Sequence, residues 1–256
     1  MYFAILGGLD IRAAGERILI TAPKQRAVLA TLLLDANNEV PVDRLTRYVW
    51  DGQPPVAAQT TLQSYIYRLR QLLRPMTGAE LQTSSASYML RVDPSETDVL
   101  SFKQRVAEAR DQMLSSNLHD SVRSLRRALA LWRGNALVGV PGRLIQQEAR
   151  FLEDERIAAY EDLFTAEIAL GNHRKIVPEL RKLVSLHQFH EMLGAQLMLV
   201  LYRSGRQAEA LQVYTLIRRG LRDKLGIEPG AELQNLHKAI LDQAPATTIM
   251  LPAMAG

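Results

Sequence analysis

A chain of 256 residues, 47% of them hydrophobic, can bury one large core or two ordinary ones, which excludes a mostly disordered protein and favours two domains. It contains no cysteine, which excludes disulfides, thiolate zinc sites and a cysteine nucleophile, and favours a reducing cytoplasm. A formal net charge of +4 permits a nucleic-acid partner without requiring one. Because no apolar run approaches roughly 18 residues and the N-terminus lacks a basic n-region, we expect neither a membrane span nor a signal peptide.

The first fifty residues predict a small sheet followed by two helices. Alternating apolar positions over 2–20, interrupted by turns at Gly7-Gly8 and Ala14-Gly15, are typical of a short antiparallel sheet. A first helix follows to residue 34, with Thr21 as its expected N-cap and Pro23 in its first turn. A second helix is expected over 42–50.

The segment 51–57, DGQPPVA, breaks the chain with Gly52 and two prolines, and a third helix is predicted over 58–74. With about 100° between successive residues, one side of this helix is apolar and suited to packing on a core. That side consists of Ala58, Leu62, Tyr65, Ile66, Leu69, Leu72 and Leu73.

The opposite side of the third helix carries cations, amides and hydroxyls but no acid. Its outward positions are Thr60, Gln63, Ser64, Tyr67, Gln71 and Arg74, flanked by Arg68 and Arg70. No Asp or Glu occurs between residues 52 and 79, although the chain has 27 of them. A solvated face normally mixes both signs, so this composition is the kind that phosphates and base edges select. An ordinary amphipathic surface helix with a few arginines remains an alternative.

Two short strands, 81–83 and 88–92, are predicted around a small polar tip. Sheet, three helices and a terminal hairpin is the order of a response-regulator-type winged helix, whose third helix enters the major groove and whose hairpin approaches the minor groove. The expected fold class is therefore mainly α, with an N-terminal α+β winged helix-turn-helix followed by an all-α, tetratricopeptide-like domain.

From residue 98 the periodicity is helical throughout. Gly171 and Gly205 each end one helix and precede another, and their 34-residue separation is the period of tetratricopeptide helix pairs. The uncharged tail contains two prolines and is expected to be disordered. The predicted domains are 1–94, 95–244 and a tail at 245–256. The predicted helices are 98–114, 118–132, 143–170, 174–186, 190–203, 207–224 and 231–242.

Several stretches of this chain resemble the Streptomyces antibiotic regulatory proteins, which are small actinobacterial transcription activators. The stretches are VDRLTRYVWDGQPP, TLQSYIYRLRQLL, TDVLSFKQRVAEAR, RALALWRGNAL, LMLVLYRSGRQAEALQVY and LRDKLGIEPGAELQNLHKAIL. The resemblance implies a winged helix joined to a bacterial transcriptional activation domain. It further implies binding to direct repeats of double-stranded DNA, usually as a side-by-side homodimer, and recruitment of RNA polymerase holoenzyme at a secondary-metabolite gene cluster.

The same resemblance implies a cytoplasmic, nucleoid-associated protein with no cofactor, no metal and no membrane partner. Its third-helix positions make Thr60, Gln63, Ser64, Tyr67 and Gln71 the candidates for base contacts. The candidates for phosphate contacts are Arg68, Arg70, Arg74, Lys24, Arg26, Arg44 and Arg47. For the last four a plain solvated role is an equal alternative, and Arg70 could instead pair with an acid of the second domain.

The resemblance also implies functions for the hairpin tip and for the loop 51–57. The family's hairpin tip commonly carries a basic residue and a glycine, whereas here the tip is Ser84-Ser85-Ala86-Ser87. We therefore expect only weak backbone contacts from Thr83, Ser84 and Ser85. In the loop 51–57, Gln53 and Val56 are candidates for contact with polymerase, and a rigid linker is the alternative.

A catalytic function finds no support in the sequence. The stretch GNALVG lacks the lysine and hydroxyl of a phosphate-binding loop, and neither HExxH nor a nucleophile elbow is present. His187 and His190 lack a clear third ligand and are interpreted as loop or packing residues. Two non-enzymatic alternatives remain, a helical-repeat adaptor with a degenerate N-terminal domain and a metabolite-gated regulator that binds DNA weakly.

Overall fold

A computed structural model describes residues 2–74, 78–245 and 248–249. The polypeptide forms two compact units. The first comprises Met1–Glu108 and Arg126–Ala158, and the second comprises Ala109–Leu125 and Ala159–Gly256. The first unit extends well beyond residue 94, so it is larger than the winged-helix segment. The division at residue 94 stays a prediction about sequence modules.

The N-terminal sheet is antiparallel, as the sequence predicts. Its strands pair in the order β1 (Tyr2–Ala4), β2 (Asp10–Ala13) and β3 (Glu16–Arg17). Phe3 faces Ile11 across the first pair, and both side chains are buried. The sheet thus contributes Phe3, Ala4 and Ile11 to the core.

Three helices follow this sheet. They are α1 (Pro23–Leu34), α2 (Val42–Val49) and α3 (Ala58–Leu73). The prediction that Thr21 caps α1 is wrong, since the N-cap residue is Ala22, whose side chain has no hydrogen-bond acceptor. Pro23 occupies the first turn and has no backbone N–H, which removes one of the donors that a cap would satisfy.

A second sheet closes the winged helix. Its strands are ordered β4 (Val40–Pro41), β6 (Ser87–Val92) and β5 (Ala79–Thr83). Asn37, at a φ of 68°, ties the end of α1 to this sheet. Its side-chain amide donates to the carbonyl oxygen of Val92 and its amide oxygen accepts from the Val92 N–H, both at 2.9 Å. The asparagine tolerates this left-handed backbone while satisfying both backbone groups of Val92, the last residue of the central strand β6, which lies beyond the two residues that pair with β4.

Asp98 is a buried carboxylate, only 1% exposed, that binds the N-terminal strand region. Its two oxygens accept from the backbone N–H of Ile5 at 2.9 Å and of Leu6 at 2.8 Å. Arg133 Nη2 lies 3.5 Å from the same carboxylate. Burial raises the pKa of Asp98, although the two backbone amides and the charge of Arg133 act in the opposite direction.

Residues 133–138 continue this connection. The N–H of Arg133 donates to the carbonyl of Leu6 at 2.8 Å, and the N–H of Leu137 donates to that of Ile5 at 2.9 Å. Backbone groups near the end of β1 are therefore satisfied by residues more than 120 positions later in the chain. The winged helix is completed within its compact unit by segments that follow it in sequence.

The remaining helices lie close to their predicted positions. They are α4 (Asp98–Leu114), α5 (Leu118–Leu129), α6 (Arg143–Ala169), α7 (His173–Leu186), α8 (Glu191–Arg203), α9 (Gln207–Leu225) and α10 (Ala231–Leu241). Helix α5 ends three residues before its predicted end, because the N–H groups of Leu131 and Trp132 bond three residues back in tight turns. The ring of Trp132 then packs edge-on against Phe102 at 5.5 Å.

The second unit is built around α8, whose residues from Leu193 to Leu201 are all buried. A helix that is buried on all sides is typical of the centre of a helical domain, and α8 packs against α7, α9 and α10. Gly171 and Gly205 have φ angles of 78° and 77° at the ends of α6 and α8. This left-handed conformation ends a helix at little cost only with glycine or asparagine.

The predicted fold class, a winged helix followed by a helical domain, is confirmed. The 34-residue separation coincides with two such helix ends, and the tetratricopeptide assignment itself stays a prediction. Most of the predicted disordered tail, 245–256, lies outside the described residues. Within the described residues, no helix is both long enough and apolar enough to span a bilayer.

The connection through Asp98 yields a stability prediction. Asp98→Ala leaves two buried backbone N–H groups without an acceptor, and each such loss costs about 1 to 3 kcal/mol. We expect the free energy of unfolding to fall by ~2 to 4 kcal/mol in a urea titration. Asp93→Ala, a control that removes an exposed acceptor for Ser95 N–H, should have a smaller effect. Equal losses in the two variants would contradict the role given to Asp98.

A second prediction concerns Glu161 of α6, in the second unit. Burial, and secondarily the charge of Asp162, raises its pKa from 4.5 to about 7. His190 Nδ1 lies 3.4 Å from Glu161 Oε1. A carboxyl group with a raised folded pKa contributes stability below its unfolded pKa and loses that contribution as the pH rises through its folded pKa. We therefore expect Glu161→Gln to raise the Tm at pH 8 and to change it little at pH 5.

A matched variant should show the opposite sign. Hydrogen bonds from Arg206 and then Arg181 lower the pKa of Glu209 to about 2. This group stabilises the folded state above its unfolded pKa and loses that effect only as the pH falls toward 2, so Glu209→Gln should lower the Tm at both pH 5 and pH 8. If Glu161→Gln has the same effect at both pH values, the raised pKa of Glu161 is refuted.

Candidate nucleic-acid interface

Helix α3 is fixed in rotation by its buried side. The buried residues are Ala58, Leu62, Ile66, Leu69 and Leu73. Fully burying a leucine or isoleucine is worth about 1.5 to 3 kcal/mol, so any rotation that exposed this stripe would be costly. Tyr65 lies at the edge of the stripe and stacks on Trp50, with ring centroids 6.3 Å apart.

The opposite face of α3 is open to solvent. Its exposed side chains are Thr60, Gln63, Ser64, Tyr67, Arg68, Gln71 and Arg74. Within the described residues, Arg68 and Arg74 form no ion pair. The Ser64 hydroxyl donates to the carbonyl of Thr60 at 3.1 Å, which leaves its lone pairs available. The face therefore presents two unpaired guanidinium groups beside amides and hydroxyls.

Arg70 differs from the other two arginines of α3. It is half-buried, its Nε donates to the carbonyl of Leu81 at 2.9 Å, and its Nη2 donates to the hydroxyl of Thr83. These two hydrogen bonds attach β5 to α3. The hydrogen-bond partners of Arg70 thus lie in the hairpin. The sequence had left open a different role, in which Arg70 pairs with an acid of the second domain.

The candidate phosphate contacts on α1 and α2 differ in their contacts within the protein. Lys24 donates to the carbonyl of Val49 at the end of α2, and Arg44 pairs with Asp35 at 2.8 Å, so both also hold the helices together. Arg26 is half-buried, and its Nε is enclosed with no hydrogen-bond partner among the described residues. Arg47 is exposed and forms no ion pair among the described residues. Of the four, Arg47 is the most available for an external anion.

The tip of the hairpin is polar and uncharged. Thr83, Ser84 and Ser85 are exposed, and the N–H of Ser84 donates to the carbonyl of Ser87 at 3.0 Å to close the turn. The Thr83 hydroxyl already accepts from Arg70. Small hydroxyls are what this tip can offer to a phosphate, and no cation extends beyond them.

The connection between α2 and α3 is exposed but well fixed. Gln53 and Val56 are both exposed, Val56 completely. Hydrogen bonds close the loop at both ends, from Gln53 N–H to the carbonyl of Trp50 at 3.0 Å and from Ala58 N–H to that of Pro55 at 2.9 Å. An apolar side chain is thus held outward on a proline-containing loop.

Sequence reasoning missed one residue of this loop. The Asp51 carboxylate accepts from the backbone N–H of Leu144 in the first turn of α6 at 3.1 Å. A signal for such a partner is present in the sequence, because residues 139–142, GVPG, contain no Ser, Thr, Asp or Asn to cap a helix that starts at residue 143. A helix without its own cap needs an acceptor from elsewhere.

The fold and the exposed, acid-free face of α3 define a transcriptional regulator of the winged-helix class, and comparison with known proteins agrees. Residues 97–241 match the bacterial transcriptional activator domain, and residues 15–87 match the C-terminal domain of transcriptional regulatory proteins.

Two relatives and one solved structure illustrate the similarity. Regulatory protein DnrI of Streptomyces peucetius is 38% identical over 254 residues, which cover 96% of this chain and 93% of DnrI. Regulatory protein AfsR of Streptomyces coelicolor is 37% identical over 99% of this chain, but the match covers only 25% of AfsR. Mycobacterium tuberculosis EmbR, solved in complex with a low-affinity phosphopeptide, superposes with a TM-score of 0.89 and 31% identity over 95% of this chain and 65% of EmbR.

The chain belongs to the Streptomyces antibiotic regulatory protein family of transcriptional activators. This membership confirms the family that the sequence motifs indicated, and it confirms that the protein is a transcriptional regulator and not an enzyme. It also favours regulation over the helical-repeat adaptor alternative.

Proposed function

We propose that this chain activates transcription by binding direct repeats upstream of promoters as a side-by-side homodimer and by recruiting RNA polymerase holoenzyme. The genes of a secondary-metabolite cluster are its proposed targets. The observation that supports this most directly is the exposed face of α3, which carries unpaired cations and amides in a segment without a single acid. Phosphates would supply most of the affinity, and base edges would supply the choice of sequence.

The dimensions of α3 support its role as the recognition helix. A helix of 16 residues is about 24 Å long, and an α-helix fits the width of the major groove. Gln63 and Gln71 lie about two helical turns apart. Each carries an amide that can form two hydrogen bonds with the major-groove edge of an adenine. Arg68 and Arg74 lie on the same exposed side and would bind phosphate. Because the hairpin tip has no cation, α3 carries most of the proposed recognition.

The loop between α2 and α3 supports a polymerase contact. Val56 is fully exposed on a loop closed by hydrogen bonds at both ends, and an exposed apolar side chain in a fixed position suits a protein partner. We propose Gln53 and Val56 as this contact. We further propose that the DNA-binding module ends near residue 94 and that the helical module, 95–244, supports pairing of the two protomers.

The first test measures the salt dependence of DNA binding. If a protomer pair neutralises about 6 to 10 phosphates, affinity should fall by ~10³ to 10⁵ between 50 and 200 mM salt. Duplexes selected from a randomised pool would serve as the probe, with fluorescence anisotropy as the readout. An affinity that does not change with salt would exclude the proposed phosphate contacts.

The second test separates base contacts from phosphate contacts. Gln63→Ala should relax the preference at one base pair, costing ~1 to 3 kcal/mol on the selected sequence alone. Arg74→Ala should weaken binding to all sequences alike and reduce the salt slope by about 1. Gln147→Ala, an exposed glutamine on α6, is the control and should change neither property. Identical behaviour of the two α3 variants across randomised sites would refute this division of roles.

A further inference from the structure

The start of α6 and the glycine before it meet the end of α2 and the residue Asp51 that follows it at three points, all within the first compact unit. The Leu144 N–H donates to Asp51 Oδ1 at 3.1 Å, and the Tyr48 hydroxyl donates to Glu148. A Cβ placed on Gly142 would lie 3.4 Å from the Tyr48 carbonyl oxygen and 3.5 Å from Asp51 Oδ1. The two segments are therefore in close backbone contact.

Helix α6 requires an acceptor from outside its own segment. The 27-residue helix has no capping side chain immediately before it and no acid in its first turn. The free N–H groups and the positive end of a helix dipole favour a carboxylate at this position. Asp51 supplies both the acceptor and the charge, from a position 93 residues earlier in the chain.

The contact also constrains Asp51 itself. Its φ is 53°, in the left-handed region that residues other than glycine rarely adopt, and such a conformation persists where the surroundings fix it. Gly142 has a φ of 121°, which an L side chain rarely adopts, so a substitution there would strain the backbone. The close approach thus depends on a glycine in one segment and an acceptor in the other.

From Asp51 the constraint continues directly into the recognition helix. Gly52 and two prolines follow, and the Ala58 N–H that opens α3 bonds to the carbonyl of Pro55. Immediately before Asp51 in the chain, Trp50 stacks on Tyr65 of α3. A shift of Asp51 would therefore move the first turn of α3, which carries Thr60.

We propose that Asp51 is a positioning residue through which the first turn of α6 sets the entry of α3 and so controls affinity for DNA. The inference rests on the proposed function, because it assigns α3 to DNA. It means that a ligand or partner acting on the start of α6 would reach the DNA-binding helix without touching it. The binding-competent arrangement of the loop would be fully populated only while α6 is capped.

The experiment compares Asp51→Ala and Asp51→Asn in the full chain. Removing an N-cap acceptor shifts an equilibrium by roughly 2- to 30-fold, and we expect Asp51→Ala to weaken binding to the selected duplex by a factor in this range. Asp51→Asn retains an amide oxygen that can accept from Leu144, so its affinity should be close to that of the wild type. Asp154→Ala on α6 removes an exposed carboxylate and is the matched control for charge.

The direction of the change separates positioning from simple electrostatics. Loss of a negative charge alone would strengthen binding to DNA, so Asp154→Ala should bind equally well or slightly better. If Asp51→Ala also binds equally well or better, the proposal is overturned. The same holds if Asp51→Asn loses as much affinity as Asp51→Ala while both variants keep the wild-type circular dichroism spectrum.

Amide hydrogen exchange without DNA supplies a readout that does not depend on the proposed function. In Asp51→Ala, faster exchange is expected both at Leu144 and over residues 58–62 of α3. Faster exchange confined to Leu144 would overturn the coupling. A wild-type chain that bound no duplex would refute the proposed function, and the exchange pattern would still decide whether α6 positions α3.

Discussion

The burial of one side of α3 is the constraint on which the rest of the structure depends. Ala58, Leu62, Ile66, Leu69 and Leu73 face the core, and their spacing places them on a single stripe. Turning the helix by one residue would bring polar groups into the core and expose leucines, at a cost of several times ~1.5 kcal/mol. Burial of the apolar stripe therefore requires the acid-free side of α3 to face solvent.

Apolar burial fixes the rotation of α3, whereas polar contacts fix the elements around it. Arg70 binds the hairpin, Asn37 binds the end of the central strand β6, and Asp98 binds the residues just after the first strand. Each of these side chains satisfies backbone groups that would otherwise lack partners, and an unsatisfied buried group costs more than a hydrogen bond gains. Such contacts therefore determine which segments must lie together.

The distribution of charge, more than its total, distinguishes the candidate interface. The chain has 31 basic and 27 acidic residues, a small excess. In the second unit several arginines are paired locally, as Arg206 is with Glu209 at 2.7 Å and Arg218 with Glu228 at 2.6 Å. On α3 the corresponding acids are absent. A field that can attract phosphate arises where neighbouring cations lack such partners.

The sequence by itself determined the helices, their approximate ends and the polar face of α3, because periodicity and turn residues act over a few positions. Ends that depend on distant packing were less accurate, as at Trp132, where α5 finishes early. The prediction from sequence also placed the N-cap of α1 at Thr21, whereas the N-cap residue is Ala22. Only the tertiary structure showed that Arg70 binds the hairpin and that Asp51 caps α6. These pairings join groups up to 93 residues apart, and no local pattern specifies which distant donor a side chain will meet.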